Sequence, residues 1–234
     1  MAAKRADIVG NRVMLLGAVV YLLEWVAIIP AGDTGPVDPD TRSPRAVFDL
    51  YAAHPRAVGF LASWVSLVLL GRIVLVLGLR SALRTAGHDS PVIDVAVWAM
   101  AVSVVVEVVT YAVVGAGAAV ASGGGSVEVV TGLDATAGLM NRMIFAPLGV
   151  AVGLGAVAML RSGLFPLWMT LLGAIGAVLL VAGGVVSGPG YVQSGAFRAL
   201  SNVGMVGVPF FWLWMLSTGV FLFVRAPRRT AAPV

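Results

Sequence analysis

Two carboxylates interrupt stretches that are otherwise long and apolar enough to lie in hydrocarbon. Glu24 falls in MLLGAVVYLLEWVAIIP and Glu107 in VWAMAVSVVVEVVTYAVVGAGAA. An ionisable group at membrane depth costs about 2.5–3.5 kcal/mol on insertion scales unless it is paired or wetted, so each needs a partner. Tyr21 stands three residues before Glu24 and Tyr111 four after Glu107, which puts each phenol on the helix face of its carboxylate. Two cations, Arg72 and Arg142, also stand inside apolar runs, the second with Asn141 beside it.

Depth along the helices suggests which of these groups meet. Glu24 lies seven residues before the outer end of the first apolar run, and Glu107 seven before that of the third, taken at Val114. Arg142 lies six after the start of the fourth run, taken at Thr136. At 1.5 Å per residue all three sit roughly 9–11 Å below one boundary. The expectation is a Glu24–Arg142–Glu107 cluster with Asn141 at its edge, and Arg72 deeper, toward the cytoplasm. An arginine shared by two carboxyl groups holds one as the anion and leaves the other to carry a proton. Donor and acceptor then stand side by side in a dry pocket, with Tyr21 and Tyr111 to orient a polar oxygen. That suits acid–base work on a lipophilic small molecule, such as opening an epoxide, isomerising a double bond or cyclising a polyene.

In this reading Glu107 is the primary acid or base, Glu24 its partner, and Arg142 the residue that sets their charge. Asn141 and Arg72 contact the substrate. The alternatives are a proton-coupled carrier using the same carboxylates, and an accessory subunit bound to another membrane protein. Plainer roles stand beside these: Arg142 snorkelling at the interface, Glu24 bridged to Arg72 as a packing device, and Asp49 and His54 in a solvated loop or capping the pocket.

Composition points to the membrane. The chain of 234 residues is 59% hydrophobic and 11% charged, with a mean hydropathy of +0.99, whereas soluble domains carry about 25% charged residues. Cysteine is absent, which excludes disulfides, thiolate metal sites and cysteine nucleophiles. The two histidines, His54 and His88, fall in polar connections, so neither a multi-histidine metal site nor haem ligation is expected. There is no Walker A pattern, no HExxH, no GxSxG and no lysine in any span, so no cofactor is expected. The net charge of +4 reads as membrane topology, not as nucleic-acid binding.

Six segments are long enough to cross a bilayer as helices: Val13–Ala31, Ala57–Leu79, Val92–Val114, Thr136–Leu160, Pro166–Ser187 and Ser201–Val224. The fold class is therefore all-α, a multi-pass bundle over residues 13–224 with a short N-terminal segment (1–12), an outer loop (32–56) and a tail (225–234). With both termini inside, nine Lys and Arg lie on the cytoplasmic side and four outside, which the positive-inside rule favours. The long first run, without an A-x-A exit, reads as an uncleaved span in the cell membrane.

In the outer loop GDTGPVDPDTRSP should be extended, and RAVFDLYAAHPRA should form a short helix on the surface or over the bundle. The SGGGS stretch at Ser122–Ser126 reads as a turn, and the link Arg161–Phe165 makes spans four and five antiparallel neighbours. Gly149, Gly153 and Ala156, with Gly173 and Ala177, form small-residue stripes that suit close packing within the chain or a subunit contact. Pro147 and Pro209 should interrupt spans four and six, freeing the carbonyls of Met143 and Met205. The tetrapeptides Asn11–Met14 and Asn141–Ile144 raise the question of an inverted repeat.

NRVMLLG at Asn11–Gly17, VVEVV at Val105–Val109, RSGLFPLWMTLLG at Arg161–Gly173 and the Trp-containing FFWLWMLSTGVFLF of the last span carry a resemblance. In layout the chain resembles a family of six-helix bacterial, actinobacterial-type integral membrane proteins of unknown function. The resemblance implies six spans and no particular reaction. In size and in its intramembrane carboxylates the chain is also similar to the small membrane-embedded terpene and epoxide cyclases of secondary metabolism, which implies a biosynthetic cyclase.

Overall fold

The computed structural model describes residues 11–31, 43–192 and 202–225, and the structural statements below concern these residues. They form ten helices and no strand: α1 Asn11–Leu22, α2 Trp25–Ala31, α3 Pro44–Ala53, α4 Pro55–Val68, α5 Leu70–Thr85, α6 Pro91–Ser122, α7 Val127–Met143, α8 Phe145–Ser162, α9 Leu167–Val192 and α10 Val203–Arg225. Six spans result, because α1–α2, α4–α5 and α7–α8 are each one broken span. Large apolar side chains face outward along them, among them Trp98, Val178, Val185 and Val224, each more than 65% exposed. Contiguous apolar surface of that extent suits a bilayer and not water.

The spans run farther than hydropathy alone suggests. The third continues through the Ala/Gly stretch after Val114 to Ser122, because alanine favours helix and no proline intervenes. The helix stops at the glycines, where Gly124 takes φ +76°. Ser126 then starts α7, its hydroxyl accepting from Val129 N–H at 3.2 Å. The fourth span therefore opens at Val127, not Thr136.

Each span packs on the next in chain order, and the sixth returns to the first. One close approach is antiparallel, α1 on α5. A Cβ on Gly71 would lie 2.6 Å from both Gly17 O and Tyr21 N, and one on Gly78 would collide with Met14. Backbones meet this closely only where side chains are missing. The predicted stripe on α8 serves packing within the chain: a Cβ on Gly149 would meet Ala177 O and Val181 N at 2.8 Å, and Gly173 faces Trp214. Gly163, at φ +64°, caps α8 and turns the chain directly into α9.

Helix α3 closes one end of the bundle. Ser43 caps it, Pro44 opens it, and its buried face of Val47 and Tyr51 lies on α6 and α7. Of the two placements expected for this helix, on the surface or over the bundle, it takes the second. The opposite end gathers Arg12, Arg84, Arg161 and Arg225 at or near helix termini and is called the basic end here. Residues 32–42, which hold most of the GDTGPVDPDTRSP segment, lie outside the described residues.

The breaks have local causes. Pro147 lacks the N–H that would bond Met143 O, and the fourth span tightens at Ile144, as the sequence suggested. Pro209 does not interrupt its helix; α10 continues through it, since only the Met205 carbonyl in the first turn loses a partner. Ser66 donates to Ala62 O at 2.7 Å, a back-bond that bends helices, just before the break at Leu69. The first span breaks at Leu23–Glu24, where Trp64 Nε1 donates to Leu23 O at 2.6 Å. That indole takes a carbonyl out of the ladder, and Val26 N–H reaches Leu23 O by a tighter three-residue bond. Asn11 opens its span whereas Asn141 stands just before a break, so the paired tetrapeptides mark no equivalent positions.

Candidate functional site

Arg72 is the centre of the buried polar group. It lies on α5 one turn past the Leu69 break, 2% exposed. The register of α1 on α5 sets Gly71 against Tyr21, which brings the guanidinium over the phenol ring at 4.6 Å from its centroid. From α6, Glu107 Oε2 forms an ion pair with Arg72 Nη2, and Ser103 Oγ accepts from Nη1 at 3.3 Å. Ser103 and Glu107 stand four residues apart and so present one face to the cation.

Glu24 joins the same group from the break in the first span, 5% exposed. Its electrostatic neighbours are Arg72, Glu107 and the Tyr21 phenol. The Tyr21 oxygen in turn accepts from Trp212 Nε1 of α10 at 3.3 Å. Tyr111, one turn beyond Glu107, is buried within electrostatic range of both carboxyl groups and Arg72. Glu24, Glu107, Tyr21 and Tyr111 are thus brought together as the sequence suggested.

The cation among them is a correction. Arg142 Nη1 lies 3.5 Å from Asn202 Oδ1, and the Arg142 carbonyl accepts from Ser187 Oγ at 3.5 Å. Arg142 and its neighbour Asn141, both half-buried, end α7 on the side of α9 and the approach to α10. Equal depth did not mean equal direction around the helix. Arg72, expected deeper, reaches the carboxylates because the glycines of α1 and α5 let those helices touch.

Sequence reasoning also missed three contributors. Ser103 had a signal, its four-residue spacing from Glu107. Trp212 and Trp64 had none, since indoles at span ends are expected as interface anchors. A second buried pair was hidden by the misplaced start of span four: Tyr51 of α3 donates to Asp134 of α7 at 2.6 Å. Asp49 instead pairs at the surface with Arg45 at 3.0 Å, and His54 is exposed between α3 and α4.

Two surface features complete the inventory. At the basic end Arg84 Nε lies 2.7 Å from Asp89 Oδ1, and that hydrogen bond holds the Asp89 carboxyl below its ordinary value. Next to this pair a cleft of about 170 Å³ is lined by His88, Asp89, Ser90 and Arg161 among others. An apolar groove of about 490 Å³ runs outside α8 and α9 along Gly149, Gly153 and Ala177.

Chemically, one guanidinium faces two carboxyl groups. Glu107 takes the direct ion pair. Glu24, beside a phenol and set where the helix is broken, has no cation of its own within the described group. No known protein family, curated protein or solved structure matches this chain.

Proposed function

We propose that the chain is a membrane-embedded acid–base enzyme acting on a lipophilic small molecule, by epoxide opening, cyclisation or isomerisation. The supporting observation is the buried Glu24–Arg72–Glu107 group with two phenols beside it. One cation balances one carboxylate, and an uncompensated charge at this depth is expensive, so the second carboxyl carries a proton. Glu24 is that acid. Glu107 and Arg72 hold the local charge fixed, and Tyr21 and Tyr111 orient the substrate oxygen.

In epoxide opening Glu24 gives its proton to the ring oxygen as the carbon–oxygen bond breaks, and the electron pair stays on that oxygen. A hydroxyl of the same molecule or a water attacks the carbon and returns its proton to the Glu24 carboxylate. The site ends as it began, with no cofactor in the cycle. We place the basic end in the cytoplasm by the positive-inside rule and the chain in the cell membrane.

The test is incubation of the purified protein in nanodiscs with a lipophilic extract of its source cells, read by native mass spectrometry beside Glu24→Gln. A bound species whose mass changes with the wild type and persists with the variant supports the enzyme. A second reading, a proton-coupled carrier, draws on the breaks beside Glu24 and Arg72, since discontinuous helices mark the sites of many carriers. It requires flux into proteoliposomes that follows a proton gradient, with the bound species chemically unchanged. An empty protein, indifferent to Glu24→Gln, overturns both.

A further inference from the structure

Among the described residues four buried side-chain atoms have no hydrogen-bond partner: Arg72 Nε, Trp214 Nε1, Thr218 Oγ1 and Thr170 Oγ1. All four belong to residues at least 95% buried, and a donor left unmade in such a place costs stability. Elsewhere the chain satisfies its threonines locally. Thr110, Thr131 and Thr136 each donate to the carbonyl one turn back. Thr218 does not; Ser217 Oγ donates to the Trp214 carbonyl that it would use, at 3.2 Å.

Three of the four atoms belong to one pair of helices. Helices α9 and α10 run antiparallel in a register marked by Gly183 against Gly204, Leu180 against Gly207, Gly176 against Phe210 and Gly173 against Trp214. One turn further toward the basic end, the same register sets Thr170 opposite Ser217 and Thr218. In the other direction Trp212 bonds Tyr21, whose ring lies under Arg72. Below the paired Trp212, the unpaired atoms of Trp214, Thr218 and Thr170 therefore lie along the α9–α10 seam toward the first turn of α9, and Arg72 Nε stands at the carboxyl layer above them. Trp212 to Thr218 covers about 9 Å of helix.

We propose that Arg72, Trp214, Thr218 and Thr170 hold a file of water molecules that carries protons between the basic end and Glu24. Buried waters gather where polar groups otherwise go unsatisfied, and about three at hydrogen-bond spacing cover this length. The groups that face Glu24 are Tyr21 from its own span, Arg72 from α5, and Glu107 and Tyr111 from α6. Of the helices around it, α10 alone leads from that layer to an end of the bundle through unpaired donors among the described residues. The path rests on Glu24 being the proton-bearing group, and it assigns that proton to the face bearing Arg84, Arg161 and Arg225.

The experiment is attenuated-total-reflection infrared spectroscopy of the protein in nanodiscs, following the carboxyl C=O band that Glu24→Gln removes. Its downshift after a switch to D2O times proton exchange at that residue. Thr170→Val/Thr218→Val should slow the exchange by about tenfold, the weight of about one missing hydrogen bond in a barrier, while the band keeps its position. Thr170→Ser/Thr218→Ser, which keeps both hydroxyls, should exchange like the wild type. Thr131→Val on α7 should do the same. An unchanged rate in the valine pair overturns the path and leaves the site reading standing. The path is equally refuted if the serine pair is as slow as the valine pair, which would mark a packing effect. If no band responds to Glu24→Gln, Glu24 carries no proton, and the site reading falls together with the path.

Discussion

The sharpest consequence of one guanidinium between two carboxyl groups is an asymmetry among substitutions. Arg72→Met keeps most of the apolar stem of the side chain and removes the only cation of the group. Glu107 then loses its ion pair, Ser103 its donor and Tyr21 the charge over its ring. Removing one partner of a buried pair costs about 3–5 kcal/mol. Glu107→Gln is different, because the amide oxygen still accepts from Arg72 and Glu24 stands ready to ionise as replacement counter-charge. Its cost should be near that of one charge-assisted hydrogen bond, about 1.5 kcal/mol. Glu24→Gln alone should cost less again, since it removes a carboxyl that was already neutral. The double variant Glu24→Gln/Glu107→Gln strands Arg72 without any anion, so its loss should exceed the sum of the single losses by about 1.5–3 kcal/mol. Steric trapping in bicelles measures these differences without stripping the lipid. Additive single and double losses, or a Glu107→Gln as costly as Arg72→Met, would refute the idea that the carboxyl groups share one cation.

Four further outcomes concern other parts of the chain. Gly71→Ala should destabilise by about 1–3 kcal/mol through overpacking, because its Cβ would meet the backbone of Gly17 and Tyr21. Gly59→Ala, with nothing within 4 Å, should be neutral or gain up to about 1 kcal/mol in thermal unfolding. Tyr51→Phe leaves the buried Asp134 without its phenol, so a cysteine placed at Val47 in this cysteine-free chain should label faster with a water-soluble maleimide. The Arg84–Asp89 tie should depend on pH with a definite sign. Its carboxyl is held below the ordinary 3.8, so the tie is complete above that value and is lost as pH falls through the lowered one, read as faster hydrogen exchange in the Ala86–Ser90 link.

Much of the scaffold was legible before any coordinates. Hydropathy located six spans, and Glu24, Glu107, Tyr21 and Tyr111 stood out as polar groups whose spacing put each phenol with its carboxylate. What stayed hidden depends on contacts between residues distant in sequence. The choice of Arg72 over Arg142 follows from how closely α1 meets α5, and Gly17, Gly71 and Gly78 read as ordinary small residues until their partners are known. The break at Leu23–Glu24 is met by Trp64, 41 residues from Leu23. Asp134 was overlooked because hydropathy blurs the ends of spans: Val127–Thr136 is helical yet polar enough to pass for loop.

The length of α6 has a physical consequence of its own. Thirty-two residues make about 48 Å of helix, against about 30 Å of hydrocarbon. Upright or moderately tilted, the helix outruns the bilayer. Its far end, with Val114, Ala118 and Ala121, forms with Val47, Tyr51 and Val130 a small core of its own, separate from the main one. That core stands at the end of α6 farthest from the basic end. The membrane boundary can slide along α6 as bilayer thickness changes, and hydrophobic mismatch is absorbed there and not at Glu107, midway along the helix. The carboxyl group is thereby insulated from the thickness of the membrane that houses it.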